Sequence, residues 1–309
     1  MKKLVLIILS LFFCSQVCAL NNFPAISSGN YLGAVGIKTQ STSKKYFFDV
    51  INTQTISGQF STATGETITV YWGDGTSNSY SGINQAWSHD YGFATTKTVK
   101  IKNKNSVTKF TMTQSGANIS FDLANLPSSL TVLYIAGENT VTGSLSDLPS
   151  SLVDFYCLGS TNTITGPLSG LPSSLVTFYC FGQNTITGSL SDLPSSLVTF
   201  SCLGQNAITG SLSGLPSGVI YFNCAGKNTI DTYTTKVWAA NLEYIRLIPV
   251  SPGGLDSSEI DQLLIDLAAT TWTGAKVITL AGTNAARTSA SDAAVATLTG
   301  LNVTVTTNP

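Results

Sequence analysis

Between residues 126 and 230 the apolar positions of the chain fall into columns. Leu130, Leu152, Leu175, Leu197 and Val219 head the first. Three residues on stand Leu133, Phe155, Phe178, Phe200 and Phe222, and two further Ile135, Cys157, Cys180, Cys202 and Cys224. Residues two apart on a strand face the same way, so the Leu/Phe and Ile/Cys columns predict one inward-facing side of a stack of short strands. An asparagine column follows, Asn139, Asn162, Asn184, Asn206 and Asn228, each with Val or Ile two residues later. Asparagine suits a turn, and its side chain is expected to satisfy buried backbone groups of the next coil. Leucines at 145, 148, 168, 171, 190, 193, 212 and 215 close the far wall. Each second leucine precedes a proline, which forbids a long helix and predicts an extended or 3₁₀ return.

The prolines at 127, 149, 172, 194 and 216 set the repeat at 22 or 23 residues. A period in this range belongs to a solenoid, in which each unit is one coil stacked on its neighbours. Upstream, Val107, Phe110 and Met112 read as an imperfect first coil. Downstream, Leu242, Ile245 and Leu247 repeat the strand columns, and the unit then lengthens. From Leu255 the chain predicts a helix capped by Asp256 or Ser257, with Ile260, Leu263, Leu264 and Leu267 on one apolar face. AKVITLAG predicts a strand, SASDAAVATLTGL a second helix and NVTVTT a last strand. A solenoid needs atypical ends of this kind to cover its core.

The coil L-x-x-F-x-C-x-G-x-N-x-I-T-G-x-L-x-x-L-P-S-S resembles the leucine-rich repeat. Its Leu-Pro start is similar to the short bacterial class, with one extra residue between the cysteine column and the asparagine. The resemblance covers residues 107–309, with regular coils at 126–230 and helical closing coils at 242–309. It implies a parallel solenoid whose concave sheet carries the binding face.

Ahead of the coils, residues 44–106 alternate over short runs: KYFFDVINT, QTISGQFST, TITVYWGDGT and TKTVKIKN. Such runs, separated by Gly, Asn, Ser and Thr, predict the strands of a small β-sandwich. Asp74-Gly75 predicts a tight hairpin. YWGDGT, then SHDY, then TKTVKI resembles the polycystic-kidney-disease (PKD) domain through Trp72, Gly73, Asp74, Gly75, His89 and Tyr91. That resemblance implies an immunoglobulin-like sandwich in which these residues are structural, used as a spacer or binding accessory. The predicted fold class is thus mainly β with some α.

The N-terminus places the protein. MKKLVLIILSLFFCSQVCA has two lysines, an apolar run and a Val-Cys-Ala end, the pattern of a secretory signal peptide cut after Ala19. Residues 20–43 read as a leader. The expected location is therefore secreted or cell-surface, with the periplasm as the alternative, and no transmembrane helix after cleavage.

Charged residues make up only 10% of the chain. Of 15 basic residues, cleavage removes Lys2 and Lys3, leaving 13 against 16 acidic ones. No basic block remains to meet a phosphate backbone, so nucleic acid is not an expected partner.

The cysteine column Cys157, Cys180, Cys202 and Cys224 admits disulfides, a metal site or small buried hydrophobes. Parallel in-register side chains keep Cβ atoms about 4.8 Å apart, too far for ordinary disulfide geometry, and a ladder does not converge on a metal. The cysteines are read as core.

His89 is the sole histidine, and no nucleophile motif, HExxH or P-loop accompanies it. Asp49, Asp74 and Asp90 lack the spacing of a calcium loop. No enzyme, cofactor or metal site is expected.

The outward positions of the coils form three stripes. Tyr134, Tyr156 and Tyr179 run in line, with Leu158, Phe181 and Leu203 beside them and Asp154 and Tyr221 on the other flank. An exposed aromatic and apolar stripe marks a binding face for a protein or a glycan. The alternative is that tyrosine is simply a good strand residue copied with the repeat. A polysaccharide-binding accessory role is the second functional reading.

Overall fold

The computed structural model describes residues 44–113, 118–250 and 253–309. Residues 1–19 and 20–43, read above as signal peptide and leader, lie outside the described residues.

The chain is mainly β, with a long and mostly parallel sheet. The strands, in order, are β1 (Lys44–Thr62), β2 (Thr67–Tyr71), β3 (Ser77–Ser81), β4 (Gln85–Lys102), β5 (Val107–Met112), β6 (Ile119–Asp122), β7 (Val132–Ala136), β8 (Thr140–Ser144), β9 (Asp154–Leu158), β10 (Thr163–Pro167), β11 (Thr177–Phe181), β12 (Thr185–Ser189), β13 (Thr199–Gly204), β14 (Ala207–Thr209), β15 (Tyr221–Gly226), β16 (Leu242–Pro249), β17 (Trp272–Leu280) and β18 (Thr304–Thr307). Two helices, α1 (Ser257–Ala268) and α2 (Asp292–Gly300), stand in the last two coils.

The coils form two parallel ladders, and those from β15 onward contribute a strand only to the longer. The longer runs β5, β7, β9, β11, β13, β15, β16, β17, β18. The shorter runs β6, β8, β10, β12, β14. Between the ladders each regular coil makes a single 3₁₀ turn, such as Leu190–Asp192, on the leucine that precedes Leu-Pro. The return is 3₁₀ because proline two residues past the turn has no N–H with which to extend it.

In the longer ladder the inward columns are in register: Phe178 stands beside Phe155 and Phe200, and Cys180 beside Cys157 and Cys202. All are fully buried. The phenylalanine rings stack at 5.3, 5.6 and 5.9 Å from Phe155 to Phe222.

Polar columns staple the coils at their corners. Oδ1 of Asn184 accepts from the backbone N–H of Ile164 at 2.8 Å, and Asn139, Asn162, Asn206 and Asn228 repeat the bond. This bond goes to the preceding coil, not to the following one as the sequence suggested. Only Asn162 also reaches forward, donating from Nδ2 to the Phe181 carbonyl. The second serine of Leu-Pro-Ser-Ser ties a further corner: Oγ of Ser196 donates to the carbonyls of Ser173 and Leu175. Gly218 takes that place in the next coil.

At the N-terminal end, β2 pairs antiparallel with β3 and β4, and β4 with β1. Two runs expected as separate strands are one 19-residue strand, β1, broken only by register shifts near Phe48 and Thr53. Asn52 at φ 45° takes up one of these irregularities. Strand β1 then pairs with β5 through Phe60↔Phe110 and with β6 through Val50↔Ile119. It therefore closes both ladders of the first coil, and an aromatic cluster fills the join: Phe47 lies 4.9 Å from Phe110 and 5.3 Å from Phe121. One continuous core runs from Phe47 to Val303.

At the other end α1 starts on a capping box, Asp256 accepting from the Glu259 N–H and Glu259 from the Asp256 N–H. Its face Ile260, Leu263, Leu264 and Leu267 is fully buried, as its spacing predicts. No helix among the described residues is long and apolar enough to cross a membrane.

Candidate functional site: the open face of the long ladder

Strand alternation turns three columns to the side opposite the Phe and Cys columns. The middle column reads Thr111, Tyr134, Tyr156, Tyr179, Ser201, Asn223, Arg246 and Thr279, strand by strand. On one flank stand Lys109, Val132, Asp154, Thr177, Thr199, Tyr221, Tyr244 and Val277. On the other stand Ala136 and Leu158, then Phe181, Leu203, Ala225 and Ile248. All eight residues singled out from the sequence lie on this face.

The tyrosines pack on each other. Ring centroids are 5.2 Å apart from Tyr134 to Tyr156 and 5.1 Å from Tyr156 to Tyr179. The column then holds Ser201, and the ladder crosses diagonally to Tyr221 at 5.7 Å and continues to Tyr244 at 4.7 Å. A second apolar cluster forms here, apart from the main core: Tyr179, Tyr221 and Tyr244, flanked by Tyr156, Leu158, Phe181 and Val277.

The cluster corrects one expectation. Tyr179 and Tyr221 face outward but are only 7% and 4% exposed. A ring covered on both faces by neighbours about 5 Å away keeps little more than an edge for water. Accessible area remains at Tyr134, Tyr156, Leu158, Phe181 and Leu203, all half-buried. Ser201 is fully buried between Tyr179 and Asn223, and its Oγ has no hydrogen-bond partner among the described residues.

The same crowding sets the chemistry. Burial pushes the Tyr156 hydroxyl up to about 12, with the Asp154 carboxylate adding to it. Burial raises Tyr134 and, far more, Tyr179, where neighbouring Tyr221 contributes as well. Tyr134, Tyr156 and Tyr179 are therefore neutral over the physiological range and offer hydroxyl groups and ring edges.

Tyr244 and Arg246 belong to the face but were not singled out from the sequence. The signal was available, since Leu242, Ile245 and Leu247 fix their phase. It was weak because the letters of the repeat change after residue 230.

The remaining candidates fall elsewhere. The four cysteines are free and buried on the inner face. Burial raises each thiol, Cys224 up to about 12, which suppresses the thiolate that would attack or ligate.

His89 clamps the hairpin between β2 and β3. Its Nε2 lies 2.8 Å from Asp74 Oδ2, while its ring stacks on Trp72 at 4.8 Å and meets the edge of Tyr91 at 4.4 Å. The Tyr91 hydroxyl donates to the Trp72 carbonyl. Burial pushes the Asp74 carboxyl up, but the hydrogen bonds from Thr76 and His89 outweigh it and hold it at about 2. Gly73 and Gly75 adopt φ of 87° and 98°, as the turn requires.

Asp49 accepts from Thr98 and Tyr46, and Asp90 from Gly92 and Gln54. Among the described residues no three His, Cys, Asp or Glu side chains converge on a metal position.

No protein family, no curated protein and no solved structure matches the chain.

Proposed function

We propose that the chain is a non-catalytic binding protein, secreted or displayed at a cell surface, that recognises a protein partner through the open face of its long ladder. In this reading the solenoid is a leucine-rich-repeat array, and residues 44–106 are a PKD-like module that begins it and holds its first coil.

The observation that carries the reading is the tyrosine ladder. A run of aromatic rings on the face away from the core, edged by half-buried Leu158, Phe181 and Leu203, has the composition of an interface centre. The packing favours a protein over a glycan. A sugar ring stacks on a free aromatic face, whereas Tyr156 and Tyr179 lie 5.1 Å apart at 11° and spend those faces on each other. Ring edges, hydroxyls and aliphatic side chains suit a polypeptide.

The test is capture of a partner from neighbouring-cell surfaces by the secreted chain, repeated with Leu158→Glu and Phe181→Glu. Both sites are half-buried at the edge of the tyrosine cluster, so circular dichroism should match the parent and thermal melting should stay cooperative at a modestly lower midpoint. Binding of the captured partner should fall by at least about 30-fold, the loss of one hot spot of roughly 2 kcal/mol. Undiminished binding would move the search to the loops or the N-terminal module. A glycan array run in parallel would replace the protein reading if a polysaccharide bound and the same two substitutions released it.

A further inference from the structure

On the open face Arg246 and Asp154 carry opposite charges that make no ion pair among the described residues. The other charges nearby are Lys109, two strand steps beyond Asp154 and donating to Asn84, and Glu243, which acts on the Tyr179 hydroxyl. Arg246 occupies the middle column on β16. Its NH1 donates to Asn223 Oδ1 at 3.2 Å, and among the described residues no carboxylate pairs with it. Asn223 is buried and anchors that edge, leaving the rest of the planar guanidinium fork for a ligand. Asp154 stands on the flanking column of β9, half-buried and also unpaired among the described residues. Four strand steps separate β9 from β16 along the ladder, about 19 Å at about 4.8 Å each. Between them run Tyr156, Tyr179 and Tyr221, their rings packed on one another.

We infer that the open face takes an extended polypeptide segment laid along the ladder, with a carboxylate on Arg246 and a cationic side chain over Asp154. This rests on the protein-binding reading above and adds polarity and spacing to it. An extended chain advances about 3.3 Å per residue, so the two charges lie about six residues apart in the segment. A carboxylate fits Arg246 better than a phosphate does. A single guanidinium matches one planar, singly charged group bidentately, whereas a phosphate dianion calls for further cations, and among the described residues Arg246 is the one cation in the three columns from β9 to β17. The desolvating wall of Tyr221 and Tyr244 beside Arg246 strengthens the pair relative to one in open water.

The probe is a seven-residue peptide, acetylated and amidated, with Lys first, Glu last and alternating Val and Thr between. Two controls replace Glu or Lys by Gln. Affinities are measured by calorimetry at low salt against the secreted chain. The parent peptide is expected to bind at least tenfold more tightly than either control. Arg246→Gln should abolish the difference between Glu and Gln while leaving that between Lys and Gln, and Asp154→Asn should do the reverse. Arg246→Lys guards against misfolding, since it keeps the charge and should recover part of the affinity. Equal affinities for all three peptides, or no measurable binding of any, overturns the inference. If that happens while Leu158→Glu and Phe181→Glu still release the captured partner, the binding face stands and only its charge polarity is wrong.

Discussion

The two faces of the long ladder carry the same kind of structure and obey different rules. On the inner face Phe155, Phe178, Phe200 and Phe222 stack in one straight column at 5.3 to 5.9 Å. On the open face the tyrosines stack at similar distances, but the column stops at Ser201 and resumes one column over at Tyr221 and Tyr244. The inner face must fill a closed volume in every coil, so its letters repeat. The open face has no volume to fill, so its letters drift, and its large side chains still bury one another. A position that points away from the core is not thereby exposed.

Substitutions on each face test how far this contrast goes. The largest effect belongs to Phe200→Ala. It opens a cavity between Phe178 and Phe222 and should cost about 3–5 kcal/mol in urea unfolding. A cost under about 1 kcal/mol would mean that the coils close over the gap and the inner face is not rigidly packed.

Next comes Asn184→Ala, at about 2 kcal/mol, because it leaves the buried Ile164 N–H without its acceptor. Stability equal to the parent would show that water or a shifted carbonyl replaces the staple.

Tyr179→Ala sharpens the comparison most directly. With its ring 7% exposed it should destabilise by about 1.5–2 kcal/mol, a core-like value on the outward side. Tyr134, half-buried at the ladder's end, should cost visibly less when replaced by Ala. Equal small costs at both would mean that the open-face stack contributes nothing to stability.

Cys180→Ala should cost about 1 kcal/mol, as the loss of one small buried group does. The four column thiols should resist a thiol reagent in the folded protein at pH 8, because burial raises all of them, and all four should react after denaturation. Fewer than four reactive thiols in unreduced, denatured protein would contradict a purely packed column.

The smallest effect has the opposite sign. Gly218→Ser should stabilise by about 0.5–1 kcal/mol, restoring the corner hydrogen bond its neighbours make and lowering the entropy of the unfolded chain. A Cβ there meets only the Leu197 carbonyl at 3.6 Å, an ordinary contact. A loss of stability would show that this corner differs from those of Ser151, Ser174 and Ser196.

The sequence by itself determined the repeat length, the phase of the longer ladder's strands, a return too short for a long helix, and both late helices. Each follows from a local period: two for the strands, 22 or 23 for the coils, and the i, i+3, i+4 spacing of Ile260, Leu263, Leu264 and Leu267 for α1. It also placed all eight candidate residues on one face, since alternation alone decides that. It did not predict the second strand of the coils up to β14, which forms the shorter ladder. Only the tertiary structure decided that β1 is one strand closing both ladders, because its partners β5 and β6 lie beyond β4 and no local pattern names them. Only it decided which coil each asparagine serves, a matter of stagger between neighbours. And only it decided that Tyr179 and Tyr221 are covered while Tyr156 is half-open. Burial on an open face depends on the size of the side chains in adjacent coils and on the diagonal around Ser201, and those contacts do not exist until the coils are stacked.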